Sequence, residues 1–132
     1  MTELSEHALK LLNEGKNFAS VATLMPDGSP QVSSVWIESD GKHVIFNTAE
    51  GRTKIQNLRR DPRIAVSVTN HENPYEQVII RGRVVQITHE GADLDIDHLA
   101  EKYLCVEKYP FHDSGGQRFI VKIAPEHVAI SD

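Results

Sequence analysis

Val44-Ile45-Phe46-Asn47-Thr48-Ala49-Glu50-Gly51-Arg52-Thr53-Lys54-Ile55-Gln56-Asn57-Leu58-Arg59-Arg60-Asp61-Pro62-Arg63 changes character twice along its length. It opens as a strand, since Val44, Ile45 and Phe46 are β-prone and follow the turn-like Ser39-Asp40-Gly41-Lys42. A polar turn is expected at Thr48-Ala49-Glu50-Gly51, then a short helix that carries Arg52, Lys54, Arg59 and Arg60. Asp61-Pro62 ends that helix, because a residue before proline avoids helical dihedrals. A strand, a polar turn and a helix start bearing hydroxyl and cationic side chains make a phosphate cradle. Free N–H groups and the positive end of the helix dipole face the anion, and Arg52 and Lys54 add full charges. Thr48, Arg52 and Lys54 are read as that cradle. Arg59 and Arg60 are read as complementing the dipole at the helix C-terminus.

Outward from this stretch, the chain reads as mainly β. A first helix, capped by Thr2 or Ser5, runs to about Glu14 with Leu4, Ala8, Leu11 and Leu12 on one face. Residues 18–24 form a strand, and Met25-Pro26-Asp27-Gly28-Ser29-Pro30 is a tight turn. The next strand, 31–38, is therefore antiparallel to the first and is expected to be central. Gln31, Ser33 and Ser34 stand among Val32, Val35, Trp36 and Ile37 there. Small polar residues in that setting either let a flat ligand approach the backbone or form an exposed face. Trp36, the only tryptophan, is most simply a core or interface anchor.

Residues 64–69 form a strand, broken by His71-Glu72-Asn73-Pro74. Residues 75–88 form a long one, with Gly82 marking a bulge. A second amphipathic helix follows over 94–104, capped by Asp93, with Ile96, Leu99, Ala100, Tyr103 and Leu104 buried. Beyond a loop over 106–116, containing Pro110 and Gly115-Gly116, a last strand over 117–124 stops at Pro125, and 128–130 adds an extended tail. About six strands, hairpin connections and no βαβ alternation point to a small antiparallel barrel with flanking helices.

The 132 residues fit one domain, 1–132, of average globular composition. A net charge of −5 disfavours nucleic acid as a partner, while a basic cluster within an acidic chain points to a local anionic ligand. Cys105 is the single cysteine, no apolar run reaches membrane-spanning length and the N-terminus is polar, so a cytoplasmic protein is expected. The seven histidines are scattered, at 7, 43, 71, 89, 98, 112 and 127, and Cys105 has no CxxC partner, so no metal site is expected. His71-Glu72 and His112-Asp113 are neighbours in loops, which does not make them catalytic pairs. Rossmann, P-loop and Gly-x-Ser-x-Gly signatures are absent. What remains is an anion cradle without an obvious protein nucleophile or base, and no catalytic residue is assigned. That profile suits a cofactor whose own ring performs the chemistry.

Ala22-Thr23-Leu24, Asp27-Gly28-Ser29-Pro30-Gln31-Val32-Ser33, Arg52-Thr53-Lys54 and Asn57-Leu58-Arg59-Arg60-Asp61-Pro62-Arg63 occur in an order and spacing that carry a resemblance. The chain resembles the flavin/deazaflavin oxidoreductase superfamily related to pyridoxamine 5′-phosphate oxidase. Lys102-Tyr103-Leu104, Tyr109-Pro110, Arg118 and Ile123-Ala124-Pro125-Glu126-His127-Val128 are similar to the branch that uses the deazaflavin coenzyme F420. The resemblance implies a split β-barrel working as a homodimer, with cofactor sites at the subunit interface. By position, Arg52 and Lys54 would grip the cofactor phosphate with Thr48 and Asn47. Gln31, Ser33, Ser34 and Val35 would line its ring, Trp36 would add to that wall or only pack, and Tyr75 and Gln77 would complete the partner's pocket. The implied activity is hydride transfer from reduced F420 to a small conjugated acceptor such as a quinone, an enone or a tetrapyrrole-like molecule. An FMN enzyme on the same fold and a non-catalytic flavin- or haem-binding module are the alternatives. Pyridoxamine phosphate oxidation itself is disfavoured, because an Arg-rich strand at 31–36 and a C-terminal segment bearing Trp and Arg are both missing.

Overall fold

The computed structural model describes residues 1–112 and 116–131; Asp113 and Gly115, within the expected loop, lie outside the described residues. Along the chain run α1 (Glu6–Asn13), β1 (Ala19–Leu24), β2 (Pro30–Val35), β3 (Glu38–Ser39) and β4 (Val44–Ala49). They are followed by α2 (Thr53–Arg60), β5 (Arg63–Thr69), β6 (Gln77–Thr88), α3 (Ala92–Leu104) and β7 (Arg118–Ser131). All seven strands join one antiparallel sheet in the order β2-β1-β5-β6-β7-β4-β3.

β2 and β3 stand at opposite ends of that order, yet only Trp36 and Ile37 separate them in the chain. Three extended residue steps reach about 10 Å, so the sheet must curl until its two edges nearly meet. The result is a split β-barrel with flanking helices. Val21, Phe46, Val66, Ile80, Val121 and Ile123 fill its interior, each essentially inaccessible to water.

Several expectations are corrected here. Residues 31–38 are two strands, because the chain leaves one sheet edge at Trp36 and joins the other at Glu38. This raises the strand count to seven, and it makes β2 an edge strand rather than a central one. β4 continues to Ala49, paired with β7 throughout, so Thr48 belongs to the strand and not to the turn. Asp93 does not cap α3; Gly91 does, in the left-handed conformation at φ 77°, and Asp93 sits in the first turn beside the positive helix end. Leu104 is exposed rather than part of the buried stripe.

The last strand does not stop at Pro125. The pairing of β6 with β7 slips there, from Arg81 opposite His127 to Gly82 opposite Pro125, which leaves Glu126 unpaired. Proline lacks an N–H to donate, and a bulge is where a ladder tolerates that. Gly82 sits at the same slip, as expected from its sequence context. A Cβ on it would overlap the carbonyl oxygen of Ala124.

The helices follow their sequence signals more closely. Ser5 caps α1 by accepting a hydrogen bond from the Ala8 N–H at 3.1 Å, and Ala8, Leu11 and Leu12 are buried against β3, β5 and β6. α2 packs on β1, and α3 lies against β4 and β7.

Candidate functional site

β4 carries the site. Its residues are all buried, and its last three, Asn47, Thr48 and Ala49, reach a cavity of about 400 Å³. Gly51 then turns the chain at φ 88°, a region open to glycine, and delivers Arg52 as the residue preceding α2. Arg52 and Lys54 thus stand at the N-terminal end of α2 and line the cavity. Arg118, the first residue of β7, lies opposite Ala49 in the β4–β7 register and lines it too.

Among the described residues, none of Arg52, Lys54 and Arg118 makes an ion pair, whereas Arg59, Arg63, Arg83 and Lys122 each have a carboxylate partner. α2 has no acidic residue in its first turn and no side-chain cap. Cations at the positive end of a helix are unfavourable by themselves. Burial holds the Lys54 ammonium below its usual range, and the nearby Arg52 and Arg118 guanidinium groups add to the effect. Burial likewise lowers Arg118; Tyr109 and Asp93 offset part of that, and Arg52 adds to it. An anion bound here would relieve the repulsion among the three cations and offset the cost of burying them, so the cluster fits a phosphate.

Arg118 is held in place from behind. Its Nε donates to Asn47 Oδ1 at 2.8 Å, and Asn47 Nδ2 donates to the Ala92 carbonyl at 2.9 Å and to Asp95 Oδ2 at 3.0 Å. Its guanidinium also lies over the Tyr109 ring, 5.3 Å from the centroid.

Much of the remaining lining is aromatic. Trp36 stacks on Tyr103 with ring centroids 5.2 Å apart and planes at 5°, and Tyr109 meets Trp36 edge-on at 6.0 Å. Phe18 and Phe111 continue the wall. Tyr103 fixes it: its hydroxyl donates to the Asn17 carbonyl at 2.6 Å and accepts from the Ile37 N–H at 3.1 Å. Lys102 secures the same crossover by donating to the carbonyls of Leu12 and Ile37, each at 2.7 Å.

Of the residues singled out in the sequence, Ser34, Val35, Trp36, Asn47, Thr48, Arg52 and Lys54 converge on this cavity. Gln31 and Ser33 do not line it: the Gln31 amide oxygen accepts from Thr23 Oγ1 at 3.3 Å, and Ser33 pairs with Val21. Tyr75 and Gln77 also lie elsewhere, at the β5–β6 connection, with Tyr75 82% exposed. Arg59 and Arg60 stand apart from the cavity, in the last turn of α2; Arg59 pairs with Glu50 at 2.8 Å and Arg60 donates to the Leu24 carbonyl at 2.7 Å. His112 bonds Asp97 at 2.6 Å, and its sequence neighbour Asp113 is outside the described residues.

Sequence reasoning did not assign Arg118, Phe18, Ile96, Tyr109 or Phe111 to the site. Arg118 is 71 residues from Asn47, and only the β4–β7 register brings them together. The aromatic residues carry no local signal, since each sits in an ordinary loop or strand-edge context.

Fold and site together define a split β-barrel protein with a cationic, aromatic-walled cavity at the end of β4. The sequence matches the pyridoxamine 5′-phosphate oxidase family over residues 4–132, and the chain belongs to that family. Among solved structures it is similar to an F420 reductase, with 28% identity, a TM-score of 0.81, and coverage of 96% of this chain and 98% of that one. It also shares its fold with the conserved hypothetical protein Rv2991 from Mycobacterium tuberculosis, at 24% identity and TM-score 0.73 over 98% of this chain and 85% of that one. Protein Atu2129 of Agrobacterium tumefaciens, of unknown function, matches at 23% identity and TM-score 0.71, over 92% of this chain and 53% of that one.

Proposed function

We propose that the chain is an oxidoreductase that binds reduced coenzyme F420 and passes its hydride to a small conjugated organic acceptor. The observation that carries this reading is the group of three cations, Arg52, Lys54 and Arg118, which make no ion pair among the described residues and line one aromatic-walled cavity. Similarity to an F420 reductase over nearly the full length of both chains supports the choice of cofactor.

In this reading Arg52 and Lys54 hold the phosphate at the N-terminus of α2, and Thr48 donates its hydroxyl. Arg118, oriented by Asn47, places a further charge over the cavity. Ser34 and Val35 present backbone and small side chains to the flat ring, and Trp36 and Tyr109 exclude water from it. The chain supplies position and electrostatics, and the hydride chemistry is the cofactor's. The active form is a homodimer in which Tyr75 and Gln77 close the partner's cavity, a role consistent with the high exposure of Tyr75 in a single chain.

FMN is the second reading, favoured by membership of the pyridoxamine 5′-phosphate oxidase family. Paired titrations of the purified apoprotein with F420 and with FMN, followed by fluorescence, decide between them. Tight F420 binding with weak FMN binding is expected. The reverse preference would make this a flavin enzyme, and binding of neither would sink the cradle.

A further inference from the structure

Tyr109 and Phe111 reach the cavity from the segment between α3 and β7, whose described residues 105–112 belong to neither helix nor strand. Cys105 opens that segment at φ 58°, and among the described residues no other non-glycine has a positive φ. A segment of this kind has no backbone ladder to fix it, so side-chain contacts decide where it lies.

Asp97, in the second turn of α3, makes two such contacts. Its Oδ1 accepts from the Tyr109 N–H at 2.8 Å and meets His112 Nε2 at 2.6 Å. A carboxylate only accepts, so Nε2 carries the hydrogen there. The Asp97 and His112 side chains are 20% and 31% exposed, which limits competition from water. The Tyr109 N–H, and then His112, hold the Asp97 carboxyl below its usual range, as expected of an ionised acceptor.

The first bond reaches the backbone from which the Tyr109 ring hangs, so it fixes where that ring starts. The Arg118 guanidinium lies over the ring at 5.3 Å, and Trp36 and Phe111 meet it edge-on at 6.0 and 5.6 Å. His112 also meets it edge-on, at 5.6 Å, which ties the two donors to each other.

We propose that Asp97 is a positioning residue for the cavity: by fastening residues 109–112 to α3 it sets the Tyr109 ring against Arg118 and Trp36, and so governs how tightly a ligand is held. Asp97 does not line the cavity itself, and its effect passes through Tyr109. Without the carboxylate, the segment swings about Cys105, the ring leaves the guanidinium, and water reaches the wall it covered.

The fastening stands on geometry without any cofactor assignment; its consequence for affinity rests on the proposed function. The test compares Asp97→Ala with Asp97→Asn, which keeps an acceptor oxygen in place. It reads the Arg118 Nε–H resonance of ligand-free protein, together with FMN and F420 affinities. Asp97→Ala is expected to move the resonance, because the Tyr109 ring current is lost. It should weaken whichever cofactor binds by about 5- to 10-fold, the effect of losing a charge-assisted hydrogen bond. Asp97→Asn should recover most of both. In a Tyr109→Ala background, Asp97→Ala should add less than about twofold, since residues that act as one unit are not additive. An unmoved resonance in Asp97→Ala, equal losses in the two Asp97 variants, or full additivity with Tyr109→Ala overturns the proposal. Should Asp97→Ala not fold, His112→Ala takes its place in the resonance and additivity measurements. If neither cofactor binds wild type, the proposed function falls, and the resonance still decides the fastening.

Discussion

Lys54 is half-buried, lies near two other cations and makes no ion pair among the described residues. Removing it should relieve repulsion in the empty protein and weaken the anion site. Lys54→Ala is expected to lower affinity for the phosphate-bearing cofactor by about 10- to 100-fold, or about 1.5–3 kcal/mol, as for other charge-assisted contacts. Its melting temperature should stay level or rise. A variant that binds as tightly as wild type would remove Lys54 from the cradle. Gly82 makes the opposite kind of demand, one of space rather than charge. Gly82→Ala would drive a methyl group into the Ala124 backbone at the β6–β7 slip, where no side chain can yield. A loss of about 3 kcal/mol is expected, at the upper end for overpacking, read from the urea midpoint with unchanged slope. The pairing of glycine with a flanking arginine on each side was legible in the sequence as a bulge. Pro125 was misread because its bulge depends on a partner strand more than forty residues away.

At the scale of elements, the strand-to-helix unit of β4 and α2 was readable because its signals are local: β-prone residues, a glycine turn, and a proline stop. The end of β4 was placed too early, since Thr48 and Ala49, read as turn, are drawn into the ladder by β7. The division of β2 from β3 was not legible at all. Val35, Trp36 and Ile37 would suit one continuous strand, and only closure of the sheet forces the chain to cross there. That crossing is fastened by α3 through Tyr103, which bonds the Asn17 carbonyl at 2.6 Å and the Ile37 N–H at 3.1 Å. Tyr103→Phe should leave both groups unpaired and cost about 2 kcal/mol. Because Trp36 stacks on this ring, the same variant should also change tryptophan emission in the folded protein. Loss of stability with unaltered emission would mean that the wall does not depend on the hydroxyl. The cation set was only two-thirds visible, for Arg118 arrives from a strand that no local motif ties to α2.

For the whole molecule, Glu38 and Lys102 tie stability to pH with opposite signs. Glu38 is raised in the folded state to about 8 from 4.5, so the folded protein holds the extra proton between those values. Stability therefore falls as pH rises across that window. Lys102 is lowered to about 8 from 10.5, so the unfolded chain binds more protons above pH 8 and stability climbs again toward 10.5. A minimum near pH 8 is expected, with limbs of about 1–3 kcal/mol once partial solvation is allowed for. Urea midpoints across the range would test it. Glu38→Gln should flatten the acid limb and Lys102→Met the alkaline one, and a profile without a dip would show that the two groups are better solvated than their surroundings suggest.

Trp36 is the only tryptophan in the chain and stands both at the barrel's seam and on the cavity wall. The molecule thus carries its own optical probe at the one place where opening of the barrel and arrival of a ligand are felt together. A conjugated ring settling beside it would quench its light at once, whereas parting of the seam would shift its colour toward that of indole in water. The two events can be told apart in a single cuvette, with no label attached.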